Sequence, residues 1–142
     1  MPEIVTSALS VWPCHYALLT WDGEHLSYET KKLDVSGWAK AQVLTDPELL
    51  DFPVYAADFF HHSTITSLTG QLAQADLDEG QKSEMIRTAC AVNDAVFSGE
   101  VFDPEEYAEG FSLLEQQTDT LYPLYLYSVK EDLPKDFNRA VF

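Results

Sequence analysis

Apolar and polar positions alternate most clearly between residues 16 and 30. Tyr16-Ala17-Leu18-Leu19-Thr20-Trp21 leads into Asp22-Gly23, and Glu24-His25-Leu26-Ser27-Tyr28-Glu29 follows. Asp-Gly between two such runs predicts a tight two-residue hairpin, because both central positions of that turn need positive φ. Leu26 and Tyr28 share one strand face. Before the hairpin, Ile4 to Val11 reads as a short helix that Pro13 stops.

From residue 35 the pattern becomes helical. Ser36 is placed to cap a short helix through Trp38, Ala39 and Val43. Asp46-Pro47-Glu48 supplies a cap, a proline at the first helical position and a first-turn acid, with Pro53 keeping that helix brief. Residues 54–75 hold one helix, or two joined by a kink near 61–64 where the apolar stripe shifts. Ala57, His61, Ile65, Leu68 and Leu72 fall on one face; Tyr55, Phe59 and His62 fall on another. Residues 76–80 read as a turn.

The clearest helix spans 81–98. Met85, Ala89, Val92 and Val96 form its stripe, widened by Ile86 and Phe97, while Arg87 and Asp94 point the other way. Gly99 is a good stop. Asp103-Pro104-Glu105-Glu106 repeats the cap–proline–acid pattern and starts another helix. Its Tyr107, Phe111 and Leu114 face the core, and Gly110 weakens it by about 1 kcal/mol relative to Ala. Leucine and tyrosine alternate over 121–129, which predicts a strand, with Pro123 at its start or on an edge. Residues 130–142 read as a turn and a short terminal segment. The expected fold is therefore α+β: a single domain over 1–142, predominantly helical, with a small antiparallel sheet.

Charge adds most to this picture. Eight Lys and Arg stand against 24 Asp and Glu, a net −16. Such a balance argues against nucleic acid or anionic membrane as a partner. No Lys or Arg occurs from Thr88 through Val129. Within that window, Glu100, Asp103, Glu105, Glu106, Glu109, Glu115 and Asp119 form a candidate docking face for a basic protein, beside Asp94. Apolar stretches fall well short of the roughly 20 residues of a membrane span, and no leader pattern is seen at the start. With Cys14 and Cys90 read as reduced thiols, this predicts a cytoplasmic protein.

Motifs that specify a reaction are missing. Phosphate-cradling glycine loops, GxSxG and EF-hand loops do not occur. Asp58 and His62 are four residues apart and share a helix face, with His61 about a hundred degrees away. They are weak metal candidates, because a zinc site needs three or four ligands and no HExxH pair is present. No cofactor is expected.

The expected function is thus that of a small acidic binding protein, not an enzyme, which docks a basic partner. Its most concrete form is an immunity protein that neutralises a bacterial toxin such as a nuclease. A nucleic-acid mimic and a metal-dependent hydrolase using Asp58, His61 or His62 are the alternatives. The chain is expected as a monomer, or as a homodimer paired through the exposed tyrosine-rich strand over 121–129.

Overall fold

The computed structural model describes residues 8–117, 119–133 and 135–142. The expected helix at Ile4 to Val11 begins outside them, and the chain from residue 9 to 13 forms turns and a bend. Among the described residues, six α-helices accompany a three-stranded antiparallel sheet, so the fold is α+β. The chain forms two compact units. One comprises Met1–Phe60 with Phe137–Phe142, and the other His61–Asp136.

The first unit is built on the sheet, in the order β1 (His15–Trp21), β2 (Leu26–Lys32), β3 (Arg139–Val141). β1 and β2 are the expected hairpin, with Trp21 opposite Leu26. Its loop is four residues long, not two. Asp22 explains the difference: its carboxylate accepts from the backbone N–H of Glu24 (2.9 Å) and of His25 (2.7 Å). A carboxylate bonding its own downstream backbone makes a turn by itself, so only Gly23 needs positive φ, at 106°. The third strand comes from residues 139–141, not 121–129. It pairs with β2 through Tyr28 opposite Ala140, and Tyr28 is buried.

Two short helices follow the hairpin. α1 (Val35–Ala41) is capped by Asp34, whose carboxylate accepts from Gly37 N–H. Ser36, the expected cap, lies inside the helix, and its hydroxyl accepts from Phe52 N–H. α2 (Pro47–Leu50) starts as expected, with Asp46 accepting from Glu48 N–H. Pro53 stands in the first turn of α3 (Phe52–Gln71), where a helix has no use for the missing N–H. Of the two alternatives for this segment, one helix or two joined by a kink near 61–64, the first holds: α3 is continuous through those residues.

In the second unit, Thr64, Leu68 and Leu72 are the buried positions of this chain segment, while Ile65 is exposed. Its central element is α4 (Glu79–Ser98). Asp78 and Gln81 form a reciprocal capping box, and Gly99 ends the helix with φ 68°. A 3₁₀ turn at Pro104–Tyr107, capped by Asp103, leads into α5 (Ala108–Glu115). Met85, Ala89, Val92, Phe111 and Leu114 form the core with Leu68 and Leu72. Full burial of each large apolar side chain contributes about 1.5–3 kcal/mol.

The segment expected as a strand at 121–129 is a helix, α6 (Leu121–Ser128). Its leucine–tyrosine alternation also satisfies helical spacing: Tyr122, Tyr125, Leu126 and Val129 lie three and four apart, and all four join the core. Pro123 sits in the first turn, buried, where helices tolerate proline. No helix among the described residues is long and apolar enough to cross a membrane.

Candidate functional site

Two adjacent residues of α4 reach one turn of α3. Asn93, buried, donates from Nδ2 to the Thr64 hydroxyl at 3.0 Å and to the Tyr122 hydroxyl. Beside it, both carboxylate oxygens of Asp94 meet Nε2 of His61, at 2.8 and 2.9 Å. The His61 side chain is 38% exposed and that of Asp94 34%, so the pair stands between core and solvent. The buried Asn93–Thr64 bond fixes the helix turn that carries it.

Burial lifts the Asp94 carboxyl above the usual carboxylate range, and the charge of Glu100 adds to this. The hydrogen bond and charge of His61 pull in the opposite direction. Cys90 lies one turn before Asp94. Burial raises its thiol above the ordinary value, and the Asp94 charge raises it further. That field disfavours a thiolate, so Cys90 is not an activated nucleophile. The chemically able group here is the imidazole. A histidine hydrogen-bonded to a carboxylate has its ring orientation fixed by that bond.

This arrangement differs from the sequence expectation. Asp58 and His62, the pair aligned on one helix face, are both exposed, and it is the neighbouring His61 that meets a carboxylate, Asp94. Among the described residues, no three His, Cys, Asp or Glu side chains converge as metal ligands. Asp94 does point away from the Met85–Ala89–Val92 stripe, but that side of α4 meets α3. No local signal marks the pairing, because the two residues are 33 positions apart.

The seven acids of the expected docking face are all exposed: Glu100, Asp103, Glu105, Glu106, Glu109, Glu115 and Asp119. The structure brings Asp103 and Glu105 together in an open cavity of about 540 Å³, with Tyr127, Lys130 and Glu131. Asp103 also caps the 3₁₀ turn by accepting from Glu105 N–H. Glu115 accepts from the Tyr127 hydroxyl. Two of these acids, Asp103 and Glu115, therefore have local structural work at a helix end and in a side-chain contact.

Residues 34–136 match the family model described as the C-terminal domain of cyclic nucleotide phosphodiesterase. No curated protein matches the chain. The family match overturns the reading as an immunity protein, toxin inhibitor or other acidic binding protein. It equally overturns the expectation that the chain is not an enzyme, since the family takes its name from one. Net charge reports on solubility and long-range fields, and the composition carried no information about a reaction. Over well more than half of its length, the chain belongs to the family of the C-terminal domain of cyclic nucleotide phosphodiesterase.

Proposed function

We propose that the chain acts in the hydrolysis of cyclic nucleotides, with His61 moving the proton and Asp94 orienting it. The family match over residues 34–136, which includes both residues, carries this reading. Hydrolysis of a cyclic phosphodiester adds water at phosphorus and breaks one P–O bond to the ribose, leaving a phosphate monoester. The attacking water must lose a proton and the leaving ribose oxygen must gain one. The imidazole of His61, bonded through Nε2 to Asp94, is the group placed to exchange a proton. In this reading the ring takes up the water proton while Asp94 holds it in position. Returning that proton to the ribose oxygen completes the cycle. General acid–base assistance of this kind contributes about 10²–10⁴-fold.

The acidic chain opposes the approach of an anionic nucleotide, and salt weakens that repulsion. KM should therefore fall as ionic strength rises. The test is turnover of 3′,5′- and 2′,3′-cyclic AMP by the purified chain, read as the phosphate monoester formed. We expect turnover, with His61→Ala lowering kcat by about a hundredfold or more while circular dichroism stays unchanged. Absence of monoester from both nucleotides would overturn the function. Turnover that survives His61→Ala would overturn the role of His61.

A further inference from the structure

We propose that Tyr122 is a positioning residue of the His61–Asp94 pair, acting from α6 through the side-chain amide of Asn93. The inference rests on the reading of that pair as the proton-exchanging group and names a residue that governs it.

Two polar bonds cross from α4 to one turn of α3: Asn93 meets Thr64, and Asp94 meets His61. Asn93 and Asp94 are consecutive, so their side chains leave α4 about 100° apart. His61 and Thr64 stand about 60° apart on α3, one turn along it. A rotation or slide of either helix therefore alters both bonds together. The Asp94–His61 bond is partly exposed, whereas Asn93 and Thr64 are buried. Water competes for the first bond and is shut out from the second. The register of the two helices is thus set at Asn93 and felt at Asp94.

The amide of Asn93 is held from one end. Its nitrogen carries two hydrogens, of which one goes to the Thr64 hydroxyl and the other to the Tyr122 hydroxyl. Among the described residues, no protein donor reaches its buried carbonyl oxygen, Oδ1. The terminal torsion of an asparagine is broad, so a single bond leaves the amide free to swing. With both hydrogens engaged, its plane is defined.

Tyr122 is itself fixed where its hydroxyl reaches Asn93. Its backbone N–H donates to Gln71 Oε1 at 3.0 Å, which ties the first turn of α6 to the end of α3. Its ring stacks on Tyr125, with centroids 6.0 Å apart and planes 5° from parallel, and packs against the core. A side chain locked by its own neighbours can hold another in place.

Tyr122→Phe deletes the hydroxyl and keeps the ring. It should lower kcat for cyclic-nucleotide turnover by up to about tenfold, the worth of one buried hydrogen bond, and leave KM unchanged. Thr64→Val removes the other acceptor and should do the same, which keeps the test open if Tyr122→Phe fails to fold. Thr64→Ser, which keeps a hydroxyl, should lose less. Tyr125→Phe, which deletes the hydroxyl of the stacked neighbour, should change neither constant. The proton–carbon cross-peaks of the His61 ring, assigned by their loss in His61→Ala, report on the pair without turnover. They should shift or broaden in Tyr122→Phe and Thr64→Val, stay in place in Tyr125→Phe, and cease to respond to Tyr122→Phe once Asp94→Asn has removed the partner. A native chain without turnover overturns the proposed reaction, and the cross-peaks then decide by themselves whether Tyr122 positions the pair. Cross-peaks unmoved in folded Tyr122→Phe and Thr64→Val overturn the positioning role, as does a response that persists in Asp94→Asn.

Discussion

Gly110 of α5 rests directly on Thr88 of α4. A Cβ on residue 110 would stand 1.8 Å from the Thr88 hydroxyl oxygen and 2.7 Å from its Cβ. Both residues are buried. The glycine that costs α5 helix propensity is thus the residue that lets two helices approach each other.

Gly110→Ala should therefore destabilise the fold, against the gain of about 1 kcal/mol that helix propensity alone would suggest. Overpacking of this kind typically costs about 1–3 kcal/mol. Urea denaturation measures the loss. Adding Thr88→Ala should recover only part of it, since the Cβ of residue 88 remains too close. A stabilised Gly110→Ala variant would contradict the packing.

Leu124 and Leu126 separate the helical from the extended reading of 121–129. On a strand they share a face; on α6 they point about 200° apart. Leu126 is fully buried and Leu124 is 46% exposed. Leu126→Ala should cost about 2–5 kcal/mol, and Leu124→Ala under about 1 kcal/mol. Equal costs would favour the strand.

Asp94 predicts a particular pH dependence. Its carboxyl is raised in the fold, chiefly by burial, so folding favours its protonated form. Its contribution to stability is fully present below about pH 4, the ordinary carboxylate value, and is lost as pH climbs through the raised value. The stability of the native chain minus that of Asp94→Asn should fall over that climb. A difference that stays flat, or grows with pH, would contradict the burial of this charge. The same variant should lose cyclic-nucleotide turnover while remaining folded, because Asn cannot offer Nε2 of His61 the two carboxylate oxygens that orient the ring.

Cys90 reports on Asp94 independently. Burial and the Asp94 charge both raise its thiol, so iodoacetamide should modify it more slowly than a free cysteine at neutral pH. Asp94→Asn removes one of the two causes and should accelerate the reaction. Peptide mapping distinguishes Cys90 from Cys14, whose thiol is raised by burial alone. An unchanged Cys90 rate would mean that the carboxylate does not act on it.

Much of the helical framework was legible one turn at a time. Asp46-Pro47, Asp103-Pro104 and Gly99 act as expected, because a cap needs only a side-chain oxygen, or a permissive φ, within a few residues. The hairpin was legible for the same reason, although its loop length was not. Asp22 bonding its own downstream backbone competes with the two-residue turn, and the Asp-Gly pair looks alike in both.

The site was not legible. The acidic run from Glu100 to Asp119 dominated the sequence by number, yet its members are exposed, and Asp103 and Glu115 serve their own neighbourhood. His61 and Asp94 meet where α3 and α4 pack together, beside the Asn93–Thr64 bond and the core shared by Leu68, Met85, Ala89 and Val92. In isolation, Asp58 and His62 looked the better pair, since local spacing is all that a single helix exposes.

By itself the sequence determined the Asp46 and Asp103 caps, the Gly99 stop, the N-terminal hairpin, the α+β class and the acidic field. These depend on interactions that are short along the chain or simply additive. Tertiary structure decided that 121–129 is helical, that residues 139–141 complete the sheet, that Gly110 admits Thr88, and that Asp94 belongs to His61. Each of those outcomes depends on which surfaces are buried against one another. Alternating leucine and tyrosine satisfies strand and helix spacing alike, and only the core offered to Leu126 separates them.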